Sequence, residues 1–134
     1  MPRLNVDRRR SGRLPAIVGV GVDCEEISRF KKMGSGAMEK IFTEREREYC
    51  KSKADPSQHF AARFAGKEAV MKCMSPAKIP FDRIEIAGAG KDRPEVKVLD
   101  ERFKYYDFEI SLSHSGNMAI AFAIAFRSKS IRKG

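Results

Sequence analysis

The sequence predicts an α+β fold in which a small antiparallel sheet packs against one long central helix. Three observations predict it. The stretch from Pro56 to about Met74 has the longest helical apolar pattern in the chain. After Pro80 the apolar pattern switches to strict alternation. Residues 119–125 place alanine at every second position, a face smooth enough for a helix to approach closely. At 134 residues the chain can bury one core but not two. A single domain over residues 16–126 is therefore expected between an N-terminal tail, 1–15, and a C-terminal tail, 127–134.

Taken in order, Ala16–Val22 reads as a short buried strand that ends at Asp23, and its glycines invite close approach of another backbone. Glu25–Met33 reads as an amphipathic helix with Ile27 and Phe30 inside, Arg29, Lys31 and Lys32 outside, and Gly34 and Gly36 as its stop. Thr43 and Glu46 form a capping box that opens a helix over Glu44–Lys51. Asp55 is the expected N-cap of the long helix, with Pro56 in its first turn. Along that helix Phe60, Phe64, Lys67 and Met71 make a mostly core stripe, and Ala61, Ala65, Glu68 and Lys72 make the next one. Ile84 and Ile86 alternate before the turn Gly88–Pro94, Val96 and Val98 after it: a hairpin. Residues 101–106 suit a helical turn. Phe108, Ile110, Leu112 and His114 then share one strand face, and Ile120, Phe122, Ile124 and Phe126 share a face of the next strand, joined by Ser115-Gly116-Asn117.

Charged residues make up 34% of the chain, above the roughly 25% of an average globular protein. The longest apolar run, Met118–Phe126, falls far short of the about 20 residues that cross a membrane. Net charge is +9, yet each tail carries +4 and residues 16–126 carry only +1. The basic balance thus belongs to the tails, which argues against nucleic acid as the partner of the folded part. The Arg-rich, acid-poor N-terminus reads as an organelle-targeting or a flexible segment. Cys24, Cys50 and Cys73 lack C-x-x-C spacing, and His59 and His114 are the only histidines. Neither a disulfide framework nor a zinc site is expected, and a reducing cytoplasm fits best.

Several familiar chemistries drop out. Gly19 and Gly21 lack the third glycine of a dinucleotide fingerprint, since Cys24 stands there, and no Walker-type loop precedes Lys67. Ser113 and His114 are neighbours on a strand, so they face opposite ways and cannot act as nucleophile and base. Two carboxylates remain. Asp23 ends the first strand and Glu68 lies among alanines of the long helix; if that helix packs on the strand, the two meet. Mg²⁺ takes one or two protein carboxylates and completes its shell with water and substrate phosphate. Lys72, one turn beyond Glu68, would set a cation over the same place. The plain alternatives are a surface Glu68–Lys72 ion pair, a hydrogen-bonded structural His114 and a solvated Arg63.

Four segments, taken together, are specific. They are Gly21-Val22-Asp23-x-x-Glu26-Ile27-x-Arg29-Phe30, Phe42-Thr43-x-x-Glu46-x-x-Tyr49-Cys50, Phe60-Ala61-Ala62-Arg63-Phe64-Ala65-Gly66-Lys67-Glu68-Ala69-Val70-Met71-Lys72 and Ile110-Ser111-Leu112-Ser113-His114-Ser115. In this order they resemble the small 4′-phosphopantetheinyl transferases called holo-acyl-carrier-protein synthases, over residues 16–126. The resemblance implies that fold, and transfer of the phosphopantetheine arm from coenzyme A to a serine of apo acyl carrier protein. It implies Mg²⁺ held by Asp23 and Glu68 with the coenzyme pyrophosphate. Lys72 would stabilise or protonate the leaving phosphate, and Glu68, directly or through a water, is the candidate base for the serine. Arg63, Arg93, Ser113 and His114 match positions near the nucleotide phosphates. The helix after Asp23 matches the carrier-docking helix, giving Arg29, Lys32 and Met33 to an acidic partner. Members of this length form homotrimers with sites between subunits.

The resemblance breaks in two places. Cys73-Met74-Ser75-Pro76 stands where a glycine-rich turn usually follows Lys72, so a different loop over the pantetheine is expected. Asp92-Arg93-Pro94 puts an acid near the expected 3′-phosphate, which points to a weaker hold on the coenzyme. A basic nucleic-acid-binding module and a carrier-docking protein without catalysis are the alternative functions.

Overall fold

Strand β1 (Ile17–Glu26) pairs antiparallel with β5 (Met118–Arg127), and β5 pairs antiparallel with β4 (Tyr106–Ser115), so the main sheet has the order β1-β5-β4. This computed structural model describes residues 16–88 and 93–128. A second antiparallel pair, β2 (Ile84–Ala87) and β3 (Glu95–Val98), follows a 3₁₀ turn at Phe81–Arg83. The helices are α1 (Ile27–Lys31), α2 (Ser35–Ile41), α3 (Glu44–Lys51) and α4 (Pro56–Cys73). The N-terminal tail, the C-terminal tail apart from Arg127 and Ser128, and the middle of the Gly88–Pro94 turn lie outside the described residues.

Small side chains set the distance between α4 and the sheet. Ala119, Ala121, Ala123 and Ala125 of β5 and Ala61, Ala65 and Ala69 of α4 are all fully buried. A Cβ added at Gly21 would stand 2.0 Å from the Ala69 carbonyl oxygen, and one at Gly19 2.0 Å from that of Cys73. Only glycine lets the helix backbone lie on β1 this closely, as expected from the two glycines. Beyond this layer the aromatic cluster of Phe30, Phe42, Phe60 and Phe64 seats α1 and α3 against α4, with Phe42 and Phe60 ring centres 4.9 Å apart.

One buried ion pair ties the helices to the second hairpin. Lys67 Nζ lies 2.6 Å from Glu46 Oε1 and donates to the carbonyls of Phe81 (2.9 Å) and Ile84. Glu46 completes the expected capping box with Thr43, and its other oxygen accepts from the Ile86 amide at 3.0 Å. Burial depresses the Lys67 pKa, opposed by the Glu46 carboxylate.

Several expectations need correction. β1 is not buried: Val20 and Val22 are each 56% exposed, because α4 covers only the glycine face of the sheet. The strand also continues through Asp23 to Glu26, since its ladder with β5 runs to the Glu26–Met118 pair. The helix expected from Glu25 therefore starts only at Ile27, whose amide bonds the Asn117 carbonyl at 2.8 Å; the Asn117 side chain accepts from Ser28 N. α1 ends at Lys31, short of the expected Met33, and of the two glycines read as its stop Gly34 is the N-cap of α2 while Gly36 lies inside α2. Asp55 makes no side-chain cap, although Pro56 opens α4 as expected. β5 runs one residue past Phe126, to Arg127.

Candidate active site

The packing of α4 on the glycine face of β1 brings Asp23, Glu68 and Lys72 together. Lys72 Nζ donates to the Val22 carbonyl at 2.8 Å and lies 3.3 Å from Asp23 Oδ1. It therefore reaches across to the strand, and the Glu68–Lys72 surface pair is not the contact it makes. Burial raises the Glu68 pKa above the usual carboxylate range, and the negative charge of Asp23 raises it further. Asp23 Oδ2 is buried without a hydrogen-bond partner among the described residues. Two mutually repelling carboxylates, one with an orphaned oxygen, suit a hard divalent cation that draws the rest of its shell from water and phosphate. Among the described residues no group of three or more His, Cys, Asp or Glu is arranged to hold a metal by itself.

Glu25 belongs to this cluster too. It sits two residues after Asp23 on β1, hence on the same face, and its Oε2 pairs with Arg29 at 3.1 Å. Burial and the neighbouring Asp23 push its pKa up to about 7. The strand parity shared with Asp23 was the signal for it, hidden by reading the strand as finished at Asp23. Arg29 consequently turns back toward the cluster and lies over the Phe64 ring, 5.1 Å from its centre. Lys32 is exposed, and Met33 is half-buried against the aromatic core.

A second group lies apart from the first. Arg63, read as a solvated charge, is only 1% exposed. It donates to the Gly88 carbonyl at 2.8 Å and stacks over Tyr49, 4.1 Å from the ring centre, because its position on α4 faces α3 and the β2 end. No carboxylate pairs with it among the described residues, and its Nε is buried without a partner, as is the Tyr49 hydroxyl. A cavity of about 110 Å³ adjoins it, bounded by Tyr49, Glu85 and Gly88. Arg93 projects into solvent and pairs with Glu109 of β4 at 3.4 Å. Ser113, opposite Ile120, faces the outer side of the sheet. His114, opposite Ala119, faces the helix side, is exposed, and lies 2.9 Å from the Gln58 amide nitrogen through Nε2. Asp23 and the Ser113-His114 segment thus stand on opposite edge strands of the sheet. No hydrogen bond or ion pair joins the two groups among the described residues.

Comparison with known proteins gives one family. The 4′-phosphopantetheinyl transferase superfamily matches residues 19–123. A holo-[acyl-carrier-protein] synthase of Thermodesulfovibrio yellowstonii is 41% identical over 113 residues, spanning 81% of this chain and 97% of the relative. That of Geotalea daltonii is 35% identical, with the same coverage of 81% and 97%. Among solved structures, the Bacillus anthracis holo-(acyl-carrier-protein) synthase in complex with coenzyme A (3′,5′-ADP) is 31% identical. It superposes with a TM-score of 0.73 over 84% of this chain and 98% of its own. The Helicobacter pylori enzyme in complex with coenzyme A is 27% identical, with a TM-score of 0.69 over 79% and 98%. With agreement across most of its length in both sequence and fold, the chain belongs to the 4′-phosphopantetheinyl transferase superfamily and, within it, to the holo-[acyl-carrier-protein] synthases.

Proposed function

We propose that the chain moves the 4′-phosphopantetheine arm of coenzyme A onto a serine hydroxyl of an apo acyl carrier protein, releasing adenosine 3′,5′-bisphosphate. The observation that carries this reading is the meeting of Asp23, Glu68 and Lys72 where α4 lies on β1. Asp23 and Glu68 would hold Mg²⁺, which would neutralise charge on the coenzyme pyrophosphate and favour in-line displacement. Glu68 accepts the proton of the attacking serine, and Lys72 offers its ammonium to the leaving phosphate. Arg63, a buried cation that pairs with no carboxylate among the described residues, takes a nucleotide phosphate together with Arg93, Ser113 and His114.

The separation of these two groups favours a site shared between copies of the chain. Val20, Val22, Ile120 and Phe122 leave an apolar outer sheet face between 41% and 56% exposed, larger than isolated surface residues explain. A homotrimer packed through this face would set the Ser113-His114 edge of one subunit near Asp23 of the next. The free thiols of Cys24, Cys50 and Cys73 accord with a cytoplasmic protein.

Lys72→Ala should lower kcat with little change in coenzyme affinity, because an interaction formed mainly in the transition state affects rate rather than binding. Steady-state kinetics decide this, and a raised coenzyme KM at normal kcat would make Lys72 a binding residue only. Arg29→Glu should raise the carrier KM by about ten-fold while leaving the coenzyme KM unchanged, since α1, with Arg29, Lys32 and Met33, is read as the surface for an acidic carrier. Equal changes in both constants would remove α1 from that role. Release of adenosine 3′,5′-bisphosphate from coenzyme A, followed by chromatography, tests the whole reading. It should require both apo carrier and Mg²⁺, and it should survive deletion of residues 1–14 and 128–134. Dependence on the basic tails, with nucleic acid bound through them, would favour the nucleic-acid module instead.

A further inference from the structure

The first turn of α1 is capped from outside its own segment. α1 is five residues long, and a helix this short does not hold its own geometry in water. Its N-cap residue, Glu26, makes no side-chain cap, so the amides that open the helix need another acceptor. Asn117 supplies it from the tip of the β4–β5 hairpin. The Ser115–Met118 pair closes that hairpin and leaves Gly116 and Asn117 as its two-residue loop, while the β1–β5 ladder ends at Glu26 opposite Met118. The next position sets Ile27 against Asn117, and there the Ile27 amide donates to the Asn117 carbonyl at 2.8 Å. The Ser28 amide donates to Asn117 Oδ1 at 2.9 Å, and Asn117 Nδ2 donates to Ser28 Oγ at 3.1 Å. A backbone amide can only donate, so the two ends of the Asn117 side chain are uniquely assigned. One exposed loop residue thus makes three bonds to the start of α1.

We infer that Asn117 is a positioning residue that sets the angle of α1 and, through it, the recognition of the carrier. Burial of Ile27 and Phe30 holds α1 against the aromatic cluster, but apolar contact has no direction. The bonds to Asn117 do have one. They fix which way the first turn points, and hence where Arg29, the residue after Ser28, and Lys32 are presented. An acidic carrier whose carboxylates must meet these cations reads that angle directly. Asn117 itself need touch neither substrate, because it acts through α1. The tip of the hairpin then serves the carrier, while Ser113 and His114 on the same hairpin serve the nucleotide. The inference rests on the transferase reading above, which supplies the acidic carrier and gives α1 to it.

The test is steady-state transfer by the full chain, with apo acyl carrier protein and coenzyme A varied separately, for the native chain, Asn117→Ala, Ser28→Ala and the double variant. Asn117→Ala should raise the carrier KM by about two- to five-fold, the usual reach of a lost capping side chain, with the coenzyme KM and kcat unchanged. Ser28→Ala keeps the amide bond and loses only the hydroxyl one, so its rise should be smaller. In the Asn117→Ala background it should add nothing, because the partner is already gone. Hydrogen exchange at the Ser28 amide should quicken in Asn117→Ala while the amides of β1 and β5 keep their protection, which marks the variant as folded. An unchanged carrier KM in Asn117→Ala overturns the role of Asn117, as does a coenzyme KM that rises equally or alone, and as do effects of the two changes that simply multiply. With the native chain still transferring the arm, any of these results removes this inference alone. A native chain that transfers no arm loses the transferase reading and this inference with it.

Discussion

Glu68→Gln is expected to lower turnover by about 100-fold or more while leaving the fold intact, with Asp23→Asn behaving alike. Each change keeps the side-chain volume and removes a charged oxygen from the place where α4 lies on β1. Transition-state charge stabilisation of this kind is typically worth a factor of about 10²–10³ per group lost. Stability should move by no more than about 1 kcal/mol, because Glu68 is held there against burial and against the charge of Asp23. Removing a carboxylate that its surroundings disfavour does not weaken the fold, and a slight rise in melting temperature would be consistent with stability exchanged for function. Turnover and its Mg²⁺ dependence, measured beside a thermal melt, check both parts. Native turnover with native Mg²⁺ dependence in either variant would remove the pair from the proposed chemistry.

The largest effect on stability is expected at Lys67. Lys67→Met should cost about 3–5 kcal/mol, the usual consequence of deleting one partner of a fully buried ion pair. All three protons of its ammonium are committed, to Glu46 and to the carbonyls of Phe81 and Ile84, and the remaining Glu46 would be a buried carboxylate without a cation. Adding Glu46→Gln to Lys67→Met should recover part of the loss, because the uncompensated charge is then gone. Urea denaturation of the single and double variants measures this. A loss below about 1 kcal/mol for Lys67→Met would show that the pair is not the tie between α3, α4 and the second hairpin. Lys67 adjoins Glu68 in the chain but is turned about 100° from it around α4, and with all three protons committed it has no free donor for a phosphate.

Much of this was legible in the sequence where local chemistry decides the structure. Thr43 and Glu46 announce α3 to the residue, and Pro56 announces α4. Alternating alanines in residues 119–125, with Gly19 and Gly21, announce the close helix–sheet contact that assembles Asp23, Glu68 and Lys72. What was not legible depends on partners remote in the chain. The start of α1 is set by Asn117, ninety residues away, so the run Glu25–Met33 could not show that Glu25 and Glu26 belong to a strand. Arg63 looks like a surface charge, and the partners of Lys67 stay hidden although its stripe reads as mostly core, because nothing nearby in sequence reveals the Gly88 carbonyl or the Phe81 and Ile84 carbonyls that receive them. The exposed valines of β1 read as core for the same reason: alternation marks two faces but not which of them a helix covers.

The most direct measurement is the mass of an apo acyl carrier protein after incubation with this chain, coenzyme A and Mg²⁺. The predicted result is a carrier heavier by one phosphopantetheine, attached at a single serine, with one adenosine 3′,5′-bisphosphate released for each carrier modified. No gain is expected when the chain carries Glu68→Gln or when coenzyme A is omitted. A carrier of unchanged mass, from a correctly folded chain supplied with coenzyme A and Mg²⁺, would contradict the proposed transfer.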